Sequence, residues 1–298
     1  MVIENNDNDY GKISPTAKIT AYWKSLSDIP YSKEIAVAVK AEQTARQMTG
    51  DRFEWSKGLS PSGFEVRYKA INYGLRKYGI ENVMELASGL SPRGLEIISK
   101  GGIYVGTDLP EMHNESSKII VDIAVREGIS LDNLHLQSAN VLNIDELENA
   151  AKYFKGKKFA VCNEGLLMYL NKDEKSQMAE NVRKILMNND GCWITTDIDF
   201  KSWGEAIIKL LGEHMNEVIK TAKENISNQT GTDILKNDFA DKLEALKFYK
   251  NFGFEIEEYP MYAGDYMLST ARFIPDNLKE RFISTLKSFS AFILTPKL

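Results

Sequence analysis

Short, continuous apolar runs and stretches with apolar residues three or four apart alternate along most of this chain. The runs at residues 83–87, 103–108, 134–138, 158–163 and 192–196 predict five buried strands. Helical spacing between them predicts helices over 114–127 and after Asn171, where Met178, Val182, Ile185 and Leu186 share a face and Asn171 with Glu174 spells a capping box. Strand and helix in alternation predict an α/β fold with a mostly parallel, doubly wound, Rossmann-like sheet. Residues 254–259 predict a sixth strand, 275–288 a helix and 291–295 a closing strand.

Two segments stand outside that alternation. The first sixty residues carry helical patterning, with Ile19, Tyr22 and Trp23 then Ile35, Ala38 and Val39 in register and a break at Asp28-Ile29-Pro30, which predicts a helical extension ahead of the sheet. Residues 200–226 predict one long amphipathic helix with Trp203, Ile207, Leu210, Leu211, Met215, Val218, Ile219 and Ala222 on one face. A polar loop over 228–237 and a helix over 239–252 follow. The segment 200–252 is too long for a simple crossover and predicts a cap over the carboxyl ends of the strands, within a single domain spanning 1–298.

Candidate chemistry enters at residues 82–94, N-V-M-E-L-A-S-G-L-S-P-R-G. A strand runs into a turn at Ser88-Gly89, and Ser91-Pro92 marks the start of a helix. Such a turn aims backbone N–H groups and the positive end of a helix at a ligand above the strand, and Gly89 removes a Cβ from its path. The next strand ends at Asp108, an acid placed to accept hydrogen bonds from ribose hydroxyls. Ala139-Asn140-Val141 ends the third strand, where it can meet an adenine edge. The pattern points to an adenosine site and fits a nicotinamide enzyme equally well. Ser60-Pro61 opens a helix whose apolar face carries Phe64, Tyr68, Ile71, Leu75 and Tyr78, closed by Gly79. Arg67 lies on that face, so its guanidinium needs an anion from protein, ligand or solvent.

Composition narrows the partners. With 37 basic and 42 acidic residues, net charge −5 and no basic block, the chain offers no surface for nucleic acid or an anionic membrane. A small molecule or a peptide is the expected partner. No apolar run approaches a membrane span and the N-terminus is acidic, so a cytoplasmic protein is expected. Cys162 and Cys192 sit inside apolar runs and are expected to be reduced packing residues. His113, His135 and His214 are isolated and suggest no metal site.

The combination S-G-L-S-P-R-G, T-D-L-P-E-M and E-G-L-L-M-Y-L, with S-P-T-A near the start and F-I-L-T-P at the end, resembles the leucine carboxyl methyltransferase-like branch of the class I S-adenosylmethionine-dependent methyltransferases. That branch also holds O-methyltransferases of polyketide biosynthesis. The resemblance implies S-adenosyl-L-methionine as cofactor, with Arg67 on the methionine carboxylate, Gly89 beneath the cofactor, Asp108 on the ribose, Asn140 and Val141 on the adenine and Glu164 at the methionine end. It also implies Glu85, Ala87 and Leu109 as parts of that site. Ala87 stands where the family has a glycine, which asks for a negative φ, and Asn140 where it has aspartate, leaving a carbonyl oxygen for the adenine amino group.

Methyl transfer from a sulfonium needs a positioned nucleophile in a site closed to water and no catalytic metal. Glu164 and Tyr169 after the fourth strand and Asp197 and Asp199 after the fifth are the candidates to line the acceptor site, with Trp203 above them. The expected activity is O-methylation of a carboxylate or hydroxyl on a small molecule or peptide. The alternatives are a nicotinamide-dependent oxidoreductase, which leaves the inward Arg67 and the Glu164 string without a purpose, and a cofactor-binding partner subunit without catalysis.

Overall fold

The computed structural model describes residues 14–297 other than 188, 214, 235, 264 and 265. His214 and the acidic start therefore lie outside the described residues. The apolar runs form β1 (Val83–Leu86), β2 (Tyr104–Asp108), β3 (Leu134–Ser138), β4 (Ala160–Asn163), β5 (Cys192–Thr195), β6 (Phe254–Pro260) and β7 (Ser290–Pro296), joined in one sheet of order β3-β2-β1-β4-β5-β7-β6. The first five strands are parallel, while β7 runs antiparallel to β5 and β6 antiparallel to β7. This is a doubly wound, Rossmann-like α/β sheet with an antiparallel pair at one edge. β1, β4 and β5 are buried throughout, which is why they read as unbroken apolar runs, whereas edge strand β6 exposes glutamates.

Helices cover both faces. The N-terminal extension holds α1 (Ser14–Ser25), α2 (Ser32–Ala38), α3 (Ala41–Thr49), a 3-10 turn at Gly50–Arg52 and α4 (Phe53–Lys57). It packs with α5 (Ser60–Lys77), α6 (Arg93–Ser99) and α7 (Pro110–Arg126) against the face carrying Val83, Cys162 and Ile194. The opposite face, with Met84, Val161 and Trp193, is covered by α8 (Ile144–Ala151) and α9 (Lys172–Met187). Then come α10 (Phe200–Leu211) and α11 (Met215–Thr230); α12 (Lys242–Asn251) joins the second face and α13 (Asp276–Ser288) the first. Both cysteines are free and buried, and among the described residues no helix is long and apolar enough to cross a membrane.

Local chemistry explains where elements begin and end. The capping box forms as written: Asn171 Oδ1 accepts from the Glu174 N–H at 3.0 Å and Glu174 accepts from the Asn171 N–H at 2.8 Å. The helix expected over 200–226 is instead two helices, because Gly212 adopts φ 108° and turns the chain between them. α7 starts at Pro110, ahead of residue 114, with proline in its first turn, and α12 starts later than 239 because Asp241 caps it through the Glu244 N–H at 2.8 Å. α6 starts at Arg93, with Ser91 Oγ accepting from the Arg93 N–H at 3.3 Å. The short α8 has no counterpart in the sequence expectations; Asn143 caps it.

Candidate active site

The strand order reverses between β1 and β4, and in doubly wound sheets the crevice at that reversal holds the ligand. The loops leaving the carboxyl ends of these strands border a cavity of about 600 Å³. Arg67, Glu85, Ala87, Gly89, Asp108, Leu109, Asn140, Val141 and Glu164 all line it, as do Tyr169 and Asp199. Asp197 does not.

The β1 turn is left-handed at two positions. Gly89 has φ 54°, which glycine adopts freely. Ala87 has φ 49° in place of the negative value asked of it, a conformation that costs an L-residue about 1–2 kcal/mol. The turn is fixed by Asp108, whose Oδ2 accepts from the Gly89 N–H at 2.7 Å while Oδ1 accepts from the Leu109 N–H at 2.9 Å. Burial pushes the Asp108 carboxyl up to about 6, and the two backbone donors pull against it. Among the described residues no salt bridge forms on Asp108, so its remaining lone pairs stay open to a donor at the cavity wall.

At the β4 end Glu164 is the hub of a buried ion cluster. Lys24 Nζ donates to its Oε2 at 3.0 Å, Arg67 Nη2 to its Oε1 at 3.3 Å, and Arg93 Nη2 stands 3.8 Å from Oε2. Arg93 itself is fully buried between Glu85 (3.1 Å), the side chain of Asn72 and the ring of Tyr68. The second Glu85 oxygen accepts from Tyr104 Oη at 2.7 Å. Glu85 therefore serves chiefly to hold Arg93. Burial pushes the Glu164 carboxyl up, but the three cations more than reverse this and hold it below the usual carboxylate value. Lys24, Arg67 and Arg93 thus meet Glu164 and Glu85 in one buried cluster of opposite charges.

Sequence reasoning missed Lys24 and Arg93. Lys24 was findable by the argument used for Arg67, since Ala17, Ala21 and Lys24 share one helical face and all line the cavity. Arg93 carried no such signal, because its seven-residue helix is too short to show an apolar face.

Two expectations are corrected by geometry. Asp197 is buried behind the β4 loop, where Oδ2 accepts from Asn163 Nδ2 (2.7 Å) and the Leu166 N–H (2.8 Å) and Oδ1 from the Gly165 N–H (2.9 Å). It shapes the loop that carries Glu164 and does not line the cavity. Asn140 turns its carbonyl oxygen back onto the Leu142 N–H at 2.9 Å, so its amide NH₂ is the group left for a ligand. Asp199 accepts from Ser202 Oγ at 2.6 Å, and Tyr169 Oη donates to Thr16 Oγ1 at 3.4 Å, with its phenol pushed up by burial.

α10 and α11 also border the cavity, through Trp203, Ile207, Val218, Ile219 and Ala222. Trp203 sits over α5, where a Cβ at Gly63 would come within 3.0 Å of its ring, and packs tilted against Phe289 with ring centroids 4.3 Å apart. Among the described residues, no cluster of His, Cys, Asp or Glu is arranged to hold a metal ion.

No family model and no curated protein matches the chain. Among solved structures it is similar to a magnesium protoporphyrin IX methyltransferase from Synechocystis with bound SAH, at 13% identity over 98% of each chain and a TM-score of 0.46. It is also similar to an O-methyltransferase family protein from Burkholderia thailandensis, at 10% identity over 89% of this chain and 58% of that one, with a TM-score of 0.42. These likenesses are slight, and the Rossmann-like fold stands on the order and direction of the strands themselves.

Proposed function

We propose that the chain is an S-adenosylmethionine-dependent methyltransferase that methylates an oxygen of a small molecule or peptide, most simply a carboxylate. The observation that carries this reading is the arrangement along one cavity wall: a Gly turn tied to Asp108 at one end, and Glu164 between Lys24 and Arg67 at the other. The residues fit the cofactor. A zwitterionic amino-acid end matches a site that sets a carboxylate beside lysine and arginine side chains. A ribose diol matches Asp108, and adenine ring nitrogens match the Asn140 amide. A nicotinamide cofactor would leave the Lys24, Arg67 and Glu164 cluster without a ligand to hold. The leucine carboxyl methyltransferase-like branch is the family whose motifs the sequence resembles.

When bound, S-adenosylmethionine would supply an already activated methyl group. The chain's own task is to position the acceptor and exclude water, which α10 and α11 do with an apolar surface. A carboxylate, with a pKa near ~4, is ionised at neutral pH and needs no base. That suits a cavity whose described lining contains no histidine and from which Asp197 is withdrawn. A phenolic acceptor is the second reading, favoured by Asp199 at the wall as a base. Calorimetry tests the cofactor: S-adenosylhomocysteine binds, and Asp108→Ala weakens it by roughly 1.5–3 kcal/mol. Binding of NADPH with no response to S-adenosylhomocysteine overturns the reading. Base-labile methyl esters support the carboxylate acceptor, and base-stable ethers lost in Asp199→Asn support the phenol.

A further inference from the structure

One side of the acceptor space is a stripe from α3 to α5, where Met48, Thr49, Arg52, Trp55, Ser56 and Leu59 line the cavity at helical spacing. Arg52 ends the 3-10 turn between α3 and α4 and is half-buried. Among the described residues, three cations line the cavity. Lys24 and Arg67 both pair with Glu164, while Arg52 makes no ion pair or hydrogen bond among the described residues. Its neighbourhood is not short of acids. Arg46, on the outer side of the same segment, takes Glu42 at 2.7 Å and Glu54 at 3.5 Å. The outward arginine has counter-ions from the chain, and the inward one has none among the described residues.

A guanidinium facing an apolar enclosure without a protein anion is costly to desolvate, and its planar fork matches a carboxylate in two parallel hydrogen bonds. The Ser56 hydroxyl, one helical turn on, adds a further donor at the same wall. We propose that Arg52 binds an acid group of the acceptor, so that the acceptor is an amphipathic carboxylic acid whose apolar body lies against Trp55, Trp203, Ile207 and Val218. This rests on the reading above that the part of the cavity bordered by α10 and α11 takes the methyl acceptor.

The test uses the full chain and a matched pair of probes, 2-naphthoate and its uncharged isostere 2-naphthamide, titrated by calorimetry. The acid binds the natural protein about tenfold more tightly than the amide, a factor that equals about 1.4 kcal/mol. Arg52→Gln removes that preference and leaves the amide's affinity unchanged, and Arg52→Lys, which keeps the charge but loses the fork, restores part of it. Equal affinities for acid and amide, no measurable binding of either, or a preference that survives Arg52→Gln would overturn the proposal. S-Adenosylhomocysteine affinity, measured separately, is unchanged in Arg52→Gln. Its absence from the natural protein would sink the methyltransferase reading while leaving the acid preference at Arg52 to be judged on its own.

Discussion

Asp197→Asn separates a structural carboxylate from a catalytic one. In the folded chain the two oxygens of Asp197 accept from Asn163 Nδ2, from the Leu166 N–H and from the Gly165 N–H, and the residue does not line the cavity. Asparagine has the same shape but only one acceptor oxygen. If that oxygen takes the Oδ2 position, with Asn163 at 2.7 Å and Leu166 at 2.8 Å, the new NH₂ confronts the Gly165 N–H. A buried donor left facing a donor costs about 1–3 kcal/mol. With a urea slope of about 1–3 kcal/mol/M, the unfolding midpoint should fall by roughly 1 M. The loop from Gly165 to Leu170 also carries the orientation of Glu164 and Tyr169, so cofactor affinity should fall with stability and amide exchange at Gly165 and Leu166 should quicken. An unchanged unfolding midpoint together with abolished methyl transfer would refute this account and return Asp197 to the chemistry.

The Asp108 carboxyl sits at about 6, above its ordinary 3.8. The folded state therefore holds this proton more tightly than the unfolded one, and the stability so gained is lost as pH rises through about 6. Ribose hydroxyls donate to the ionised form, so S-adenosylhomocysteine affinity should be flat above pH ~6 and weaken below it by up to about tenfold per unit, and titration of Asp108→Asn should show no such step. Glu164→Gln removes the anion that Lys24 and Arg67, whose side chains are 7% and 13% exposed, share. It should cost about 3–5 kcal/mol in urea unfolding, partly recovered by adding Lys24→Met, whereas strictly additive losses would mean the pair is not coupled.

The sheet was legible because parallel strands buried on both faces are written as unbroken apolar runs, and the Asn171 and Glu174 box because a cap is local chemistry. Gly212 was not legible as a break, since the apolar face of 200–226 continues in register on both sides of it. Asp197 and Asp199 look equivalent in the string T-D-I-D, yet one turns into the β4 loop and the other to the cavity wall. Nothing local distinguishes them. Arg67 was found because a charge on an apolar helix face is anomalous on sequence alone, whereas the first partner the structure gives it, Glu164, comes from a loop far along the chain. Arg93 is the opposite case: its burial depends on Glu85, Asn72 and Tyr68 meeting in space, and its own helix is too short to show a face.

In the proposed function, one cavity holds S-adenosylmethionine by its adenosine at Asp108 and by its amino-acid end at the cluster around Glu164. The most direct measurement is a comparison of S-adenosylhomocysteine with 5′-methylthioadenosine, which lacks the amino-acid end, on the natural protein and on Arg67→Met. The account predicts that the natural protein binds both and prefers S-adenosylhomocysteine, and that Arg67→Met loses about tenfold or more for that ligand while methylthioadenosine binding hardly changes. Equal losses for both ligands would make Arg67 a structural residue. Failure of the natural protein to bind either, with NADPH bound instead, would contradict the account outright.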